Sequence, residues 1–177
     1  MVDAGQLLVA TPSMHESTFD RTVILLLEHS DESSMGLVLN RRSPLKVSEA
    51  LPTVSAIAEP DQIFLGGPVE EGVALVLAQA DDSSAELHLE SGGIGLIDLA
   101  SNDPTHSIKR ARVYSGYAGW GPRQLESELR SGSWIVAAAE SSDLWASEAD
   151  CLWARVIARQ GDLSDFLAEF PQQPWLN

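Results

Sequence analysis

Two short apolar runs joined by a polar loop constrain the fold of this chain more than any other segment. Residues 22–27 form an unbroken apolar run rich in β-branched side chains, and residues 35–39 form a second apolar run. The loop between them, residues 29–34, is entirely polar. A run without polar alternation is typical of a strand that is covered on both faces. The pattern therefore predicts a β-hairpin whose first strand is buried on both faces.

The rest of the chain reads as further strands joined by short turns. Strands are expected at residues 6–10, 63–65, 73–78, 86–90, 108–115 and 134–138. Helical spacing follows Pro122 and returns between Glu148 and Gln160, and shorter helices are expected at 47–51 and 96–101. Because most strands are joined by turns too short for a crossover helix, the pattern favours an α+β fold over a doubly wound sheet.

The length of the chain favours one domain spanning residues 1–177. We expect this domain to contain a mixed, curved or barrel-like β-sheet with a few peripheral helices. A β-sandwich with peripheral helices is the alternative.

The charge of the chain argues against nucleic acid as a partner. With 11 basic and 26 acidic residues, the formal net charge is −15, and the average field repels phosphate backbones and anionic lipids. The densest basic segments comprise Arg41, Arg42, Lys46, Lys109, Arg110 and Arg112. We expect these groups to be solvated charges at strand ends or in loops, since nucleic-acid domains carry a whole basic face. Direct nucleic-acid binding is therefore not expected.

The single cysteine and the lack of long apolar runs set the expected compartment. Cys151 cannot form an intramolecular disulfide, and one thiolate is too few for a typical zinc site. No stretch reaches the roughly 18 consecutive apolar residues that a membrane-spanning helix needs, and the N-terminus lacks a cleavage signal. We expect a cytoplasmic protein with no membrane contact, no metal and no cofactor.

Two glycine-rich segments at predicted strand ends are candidate ligand contacts. The first contains Gly116, Tyr117, Gly119, Trp120 and Gly121. It lies between a predicted strand and a helix that starts at Pro122, where exposed amides and the helix dipole can receive a phosphate or carboxylate. Gly66 and Gly67 form the second segment. Neither spacing matches a dinucleotide fingerprint or a phosphate loop, and a tight turn with aromatic rings in the core is the structural alternative.

The ends of the predicted hairpin add three more candidate ligand-binding residues. In an antiparallel pair the start of the first strand lies near the end of the second, which places Arg21 close to Asn40 and Arg41. This arrangement would concentrate positive charge and amide donors at one end of an acidic protein. The alternative is that both arginines pair with carboxylates.

A catalytic centre has weaker support in the sequence. The histidines are His15, His29, His88 and His106, and no serine lies in a glycine-flanked nucleophile elbow. No two histidines have the spacing of metal ligands on one element. Catalytic residues therefore stay unassigned, with a carboxylate such as Glu28 as the candidate base of an enzyme.

Five segments, taken together, resemble the YqgE/AlgH family. They are residues 7–12, 19–29, 35–41, 64–69 and 114–122, and the similarity continues to residues 174–177. The resemblance implies a small bacterial α+β domain with a mixed, partly barrel-like sheet. It assigns no catalytic residue to this chain. The AlgH name records a genetic association with alginate regulation, from which a transcriptional role has been proposed. This chain departs from the usual family pattern at Arg42 and Arg123, and both departures add positive charge.

Two functions follow as hypotheses. The first is a non-enzymatic binding or regulatory module that accepts a protein partner or a small anionic ligand at the rim formed by Arg21, Asn40, Arg41 and the two glycine segments. The second is a hydrolase or transferase acting on a small phosphorylated or carboxylated metabolite. The sequence does not indicate an oligomeric state.

Overall fold

Eight strands and four short helices make up the part of the chain that the computed structural model describes, which is residues 2–14, 18–80, 93–97 and 108–161. The strands are β1 (Gln6–Ala10), β2 (Val23–His29), β3 (Ser34–Val38), β4 (Phe64–Leu65), β5 (Val69–Ala80), β6 (Ile94–Ile97), β7 (Ile108–Trp120) and β8 (Trp134–Ala138). The helices are α1 (Val47–Ala50), α2 (Gln124–Arg130), α3 (Ser141–Leu144) and α4 (Leu152–Ala158), with a 3₁₀ turn at Ala149–Cys151 before α4.

The strands form one open, mixed sheet. Its order is β6-β5-β7-β3-β2-β1-β8, and neighbours along this path are antiparallel, whereas β4 pairs with β7 in parallel. The path runs from β6 at one edge to β8 at the other, so the described strands do not close into a barrel. The α+β class and the mixed sheet predicted from the sequence are confirmed.

The hairpin predicted from the two apolar runs is present, and its first strand is buried on both faces. In β2, Val23, Leu25 and Leu27 enter one apolar cluster with α4, while Ile24 and Leu26 enter a second cluster with α2. Side chains that alternate between two apolar layers explain why this run carries no polar alternation. The neighbouring strand β1 alternates between the same two layers.

Several predicted boundaries are wrong. The strand expected at 73–78 spans Val69–Ala80, because it pairs with β7 over this longer range. The strand expected at 108–115 continues to Trp120, because its last residues pair with β3. The helix expected at 96–101 is also wrong at its start, because residues 96 and 97 belong to β6, which pairs with β5. The remainder of that segment and the strand expected at 86–90 lie outside the described residues.

The two predicted longer helices are confirmed. Helix α2 begins two residues after Pro122, and Gly132, with φ of 76°, follows its end. Helix α4 buries Leu152, Trp153, Val156 and Ile157 against the sheet. No helix in the described ranges is long and apolar enough to cross a membrane.

Glu128 attaches α2 to two strands of the sheet. The indole N–H groups of Trp120 and Trp134 donate to the same oxygen, Glu128 Oε2, at 2.8 and 2.7 Å. Gln124 Nε2 donates to the other oxygen, Oε1, at 2.9 Å. The two indole rings also meet edge to face at 6.1 Å between centroids. One carboxylate thus satisfies two part-buried donors on β7 and β8.

Removal of this carboxylate is expected to destabilise the fold. Glu128→Ala leaves two part-buried indole donors without an acceptor, and we expect the free energy of unfolding to fall by about 2 to 3 kcal/mol. Urea denaturation followed by tryptophan fluorescence measures the change. Ser127→Ala, at an exposed position of the same helix, is the control and should change stability by less than about 0.5 kcal/mol. Equal stability of the two variants would contradict this role of Glu128.

Candidate functional site

Asn40, one of the predicted ligand-binding residues, is buried at the end of the hairpin. Its Oδ1 accepts a hydrogen bond from the Val23 N–H at 3.0 Å, and its Nδ2 donates to the Arg21 carbonyl at 2.8 Å. Only 4% of the residue is exposed. The side-chain amide therefore joins the start of β2 to the end of β3.

Arg21 and Arg41 lie beside Asn40, as the hairpin geometry predicts. Arg41 Nη2 donates to the Asp20 carbonyl. The Arg21 guanidinium lies over the Trp153 ring, 5.4 Å from its centroid, and Arg21 has a positive φ of 51°. The structure therefore brings the three predicted hairpin residues together and gives each of them contacts within the protein.

Gly66, Gly67 and Gly116 meet where three backbone segments pack closely. Gly66 N donates to the Ser115 carbonyl at 2.8 Å, and Gly66 O accepts from Val38 N at 2.9 Å. A Cβ added at Gly67 would lie 2.2 Å from the Tyr117 carbonyl carbon, and one at Gly116 would lie 2.6 Å from the Gly67 oxygen. These glycines permit a backbone approach that any side chain would block.

Gly119, Trp120 and Gly121 lie at the other end of β3. Gly119 pairs with Met35 and Trp120 with Ser34, at the opposite end of β3 from Asn40. Gly121 N donates to Gln124 Oε1 at 3.1 Å. The interpretation of residues 116–120 as a loop is wrong, because they belong to β7. The ten predicted residues thus fall into two groups, one at each end of β3.

A cavity of about 380 Å³ lies at a different place, between β7 and the segment that follows α3. Its wall contains three arginines, one carboxylate, one indole ring and two smaller side chains. These residues are Arg42, Glu59, Pro60, Arg110, Arg112, Trp145 and Ser147. We call this cavity the arginine pocket.

Arg112 is the buried member of the arginine pocket. It is 1% exposed, its Nη2 donates to the Ala146 carbonyl at 2.9 Å, and its guanidinium lies 4.5 Å from the centroid of the Phe64 ring. Its Nε and Nη1 have no hydrogen-bond partner in the described part of the chain. A buried charge without a paired carboxylate is strongly disfavoured, and such a group calls for an ion or another ligand.

The other two arginines are held at the pocket wall by neutral acceptors. Arg110 Nε donates to Gln79 Oε1 at 2.8 Å, and its guanidinium lies over the Trp145 ring at 4.6 Å. Arg42 Nη2 donates to the Ser147 carbonyl. Within the described ranges, neither they nor Arg112 form an ion pair with a carboxylate. The one carboxylate of the wall, Glu59, therefore compensates the positive charge of the pocket only in part.

Two further buried donors without a partner lie beside Arg112. They are Tyr114 Oη and Trp145 Nε1. Among the described residues, these two atoms and Arg112 Nε and Nη1 are all of the buried side-chain N and O atoms that lack a hydrogen-bond partner. Burial raises the pKa of Tyr114 to about 12, although the charge and the hydrogen-bonding groups of the neighbouring Arg112 side chain oppose the shift, so the phenol is neutral at physiological pH. Unpaired polar atoms are thus concentrated at and beside one cavity.

A buried carboxylate holds the segment that covers the pocket. Asp143, whose side chain is 0% exposed, receives hydrogen bonds from Arg159 Nη1 at 2.8 Å and Nη2 at 2.5 Å. Burial raises the pKa of the Asp143 carboxyl, but the Arg159 hydrogen bonds, the Glu140 N–H and the charges of Arg159 and Arg155 outweigh it, so the pKa lies below its ordinary value. We call this pair the Asp143 clamp. It anchors α3 next to Ala146 and Ser147, whose carbonyl groups accept hydrogen bonds from Arg112 and Arg42.

A second polar constellation joins β2, β3 and α2. His29 Nδ1 lies 2.8 Å from Ser34 Oγ, and His29 Nε2 lies 3.8 Å from Glu126 Oε1. His29 and Ser34 are also a cross-strand backbone pair. The contact therefore has a structural explanation, and Glu126 is too far for a hydrogen bond to the imidazole. His15, His88 and His106 lie outside the described residues, among which no cluster of possible metal ligands occurs.

The arginine pocket is not among the predicted sites, although one signal for it is present in the sequence. Arg110, Arg112 and Tyr114 alternate along β7 and so share one face of the strand. The expectation that these basic residues are solvated is wrong for Arg112, because Phe64 and the segment after α3 cover it. Those covering residues are distant along the chain, so the sequence pattern does not reveal the burial.

Fold and pocket together define a small α+β protein with one open mixed sheet and an arginine-lined cavity. An AlgH-like family model matches residues 7–164. A UPF0301 protein of Streptomyces avermitilis is 41% identical over 184 residues, covering 98% of this chain and 94% of that protein. One from Streptomyces coelicolor is 42% identical over 183 residues, with the same coverage.

Two solved structures have the same fold. The crystal structure of DIP2367 from Corynebacterium diphtheriae matches with a TM-score of 0.82 at 28% identity, covering 94% of this chain and 92% of that chain. The solution structure of AlgH from Pseudomonas aeruginosa matches with a TM-score of 0.71 at 29% identity, covering 96% and 95%. The chain belongs to the YqgE/AlgH family, and the resemblance in its motifs is confirmed.

The close backbone packing at Gly67 gives a test of its structural role. Gly67→Ala places a Cβ against the Tyr117 backbone, and we expect the free energy of unfolding to fall by about 3 kcal/mol or more. Gly72→Ala is the matched control, because a Cβ there meets nothing within 4 Å, and it should change stability by less than about 0.5 kcal/mol. Thermal and urea denaturation measure both. Equal stability of the two variants would contradict the packing role.

The Asp143 clamp predicts an acid-sensitive contribution to stability. Because the pKa of Asp143 is lower in the folded protein than in the unfolded chain, ionised Asp143 stabilises the fold above about pH 4. That contribution is lost as pH falls through the folded pKa. We expect Asp143→Asn to be less stable than the parent by about 3 kcal/mol at neutral pH, with the gap narrowing in acid.

Urea unfolding at a series of pH values between about 3 and 7 measures this gap. Glu148→Gln, at an exposed position nearby, is the control and should follow the parent at every pH. A gap between Asp143→Asn and the parent that stays constant with pH would exclude ionised Asp143 as its cause.

Proposed function

We propose that this protein is a non-enzymatic binding module that takes up a small anion in the arginine pocket. The observation that carries the proposal is the buried Arg112 guanidinium, whose Nε and Nη1 have no acceptor in the described part of the chain. Because Nε and Nη1 lie on opposite edges of the guanidinium, a bound oxyanion would supply an acceptor for one of them together with the missing negative charge.

The charge of the remaining surface supports a small ligand over a polymer. The net charge of −15 repels nucleic acid, so affinity for an anion has to come from a local group of arginines. A cavity of about 380 Å³ lies within the size range of sites for small organic ligands. The proposal places the protein in the cytoplasm, in keeping with its single cysteine.

Binding fits the pocket better than hydrolysis or group transfer. The wall contains Ser147 and Glu59 as the residues with nucleophile or base chemistry. No hydrogen bond joins the Ser147 hydroxyl to a histidine or carboxylate among the described residues, although an activated nucleophile requires one. A regulatory role would then rest on occupancy of the pocket rather than on turnover.

The test is thermal unfolding with and without inorganic phosphate at constant ionic strength. If the dissociation constant is about 1 mM, about 10 mM phosphate adds roughly 1.4 kcal/mol, which raises Tm by about 4 °C. Arg112→Met should abolish the rise. It should change the stability of the ligand-free protein by no more than about 1 kcal/mol, because it also removes an unpaired buried charge.

Arg42→Gln provides a second variant at a more exposed position of the pocket, and it should weaken the phosphate response several-fold. Arg130→Gln, on the exposed face of α2, is the control and should respond like the parent. The proposal would be overturned if phosphate did not raise the Tm of the parent protein, or if it raised the Tm of the parent and of both pocket variants equally.

A further inference from the structure

The unpaired groups around the arginine pocket specify more than negative charge. Arg112 Nε, Arg112 Nη1 and Trp145 Nε1 can only donate hydrogen bonds. A carboxylate has two acceptor oxygens, whereas a phosphoryl group of a monoester has three terminal oxygens. Arg112 Nε and Nη1 lie on opposite edges of the guanidinium, so a phosphoryl group at either edge accepts from one of them and keeps terminal oxygens for Trp145 Nε1 and Arg42.

The charge of the pocket wall leads to the same ligand. The wall contains three guanidinium groups and one carboxylate, Glu59, which leaves a formal surplus of two positive charges. A phosphate monoester carries about −1.5 to −2 at neutral pH, while a monocarboxylate carries one negative charge. A doubly charged phosphoryl group neutralises the surplus, and a monocarboxylate leaves half of it.

The remaining volume and the composition of the wall indicate an organic part. A cavity of about 380 Å³ holds far more than a single small ion, since a water molecule takes about 30 Å³. Pro60 and the half-buried Trp145 ring give this space apolar surface. Glu59 is an acceptor in the same wall and is suited to a hydroxyl or amino group of the ligand.

We propose that the arginine pocket binds a small phosphate monoester, with the phosphoryl group at Arg112 and Arg42 and a hydroxyl or amino substituent at Glu59. This proposal rests on the proposed function, because it specifies the anion that the pocket takes. In the complex, Arg112 and Trp145 donate to the phosphoryl oxygens. Glu59 excludes ligands with negative charge at both ends.

The test is isothermal titration of the full chain with four probes, which are inorganic phosphate, sulfate, glycerol 3-phosphate and glycerate. Glycerol 3-phosphate and glycerate present a phosphate and a carboxylate next to similar hydroxyl groups. We expect glycerol 3-phosphate to bind at least about tenfold more tightly than glycerate or inorganic phosphate. Arg112→Met should reduce its affinity by about a hundredfold or more.

Glu59→Gln separates recognition of the phosphoryl group from recognition of the organic part. Removal of this negative charge should strengthen binding of inorganic phosphate by several-fold while reducing the preference for glycerol 3-phosphate over inorganic phosphate to about twofold or less. Glu32→Gln, at an exposed position of the β2–β3 hairpin loop, is the matched control and should keep both affinities.

The outcomes distinguish failure of this inference from failure of the proposed function. Arg112-dependent binding of inorganic anions with no preference for glycerol 3-phosphate would overturn the inference and leave the anion-binding module in place. Tighter binding of glycerate than of glycerol 3-phosphate would do the same. If none of the four probes binds, both the anion-binding module and the phosphate-monoester ligand are overturned. Release of phosphate from glycerol 3-phosphate would show a phosphatase and would also overturn the non-enzymatic binding module.

Discussion

The double-sided burial of β1 and β2 is the constraint on which the rest of the structure depends. Their side chains alternate between two apolar layers, so neither face of the sheet centre can be left to water. Helix α4 covers one layer and α2 the other. The helices are short, and their positions are fixed by the apolar residues they bury and by polar attachments such as Glu128 and Asp143. Helices of this length gain most of their stability from such tertiary contacts.

Strand β7 connects this centre to the arginine pocket. Its later residues pair with β3, beside the two-layered core, whereas its earlier residues pair with β5 along the other side. Alternation along the early part sends Ala111 and Val113 into a third apolar cluster and places Arg110, Arg112 and Tyr114 on the opposite face. The carbonyl groups of Ala146 and Ser147 then accept from Arg112 and Arg42. Strand β7 and the segment after α3 therefore hold the arginines in place without an ion pair to a carboxylate in the described part of the chain.

The glycine segments and the pocket differ in how their polar groups are used. At Gly66 the backbone N–H and C=O are both hydrogen-bonded. The glycines permit three chain segments to pack so closely that a Cβ at these positions would clash with the neighbouring backbone. Around Arg112 the donors are buried and unpaired. Unpaired buried donors are unfavourable for stability, whereas paired ones are not, and so the pocket rather than the glycine segments has the energetics expected of a binding site.

The sequence by itself determined the α+β class, the β2–β3 hairpin, the doubly buried β2 and the two longer helices, because each follows from local periodicity and turn residues. It also placed Arg21, Asn40 and Arg41 together, since hairpin geometry is local. Only the tertiary structure decided that 116–120 extend β7, because residues 118–120 pair with β3 residues that lie about 80 positions earlier, a separation that no local pattern encodes. The burial of Arg112 is non-local for the same reason: Phe64 and Ala146, which cover it, lie far away on either side in the chain.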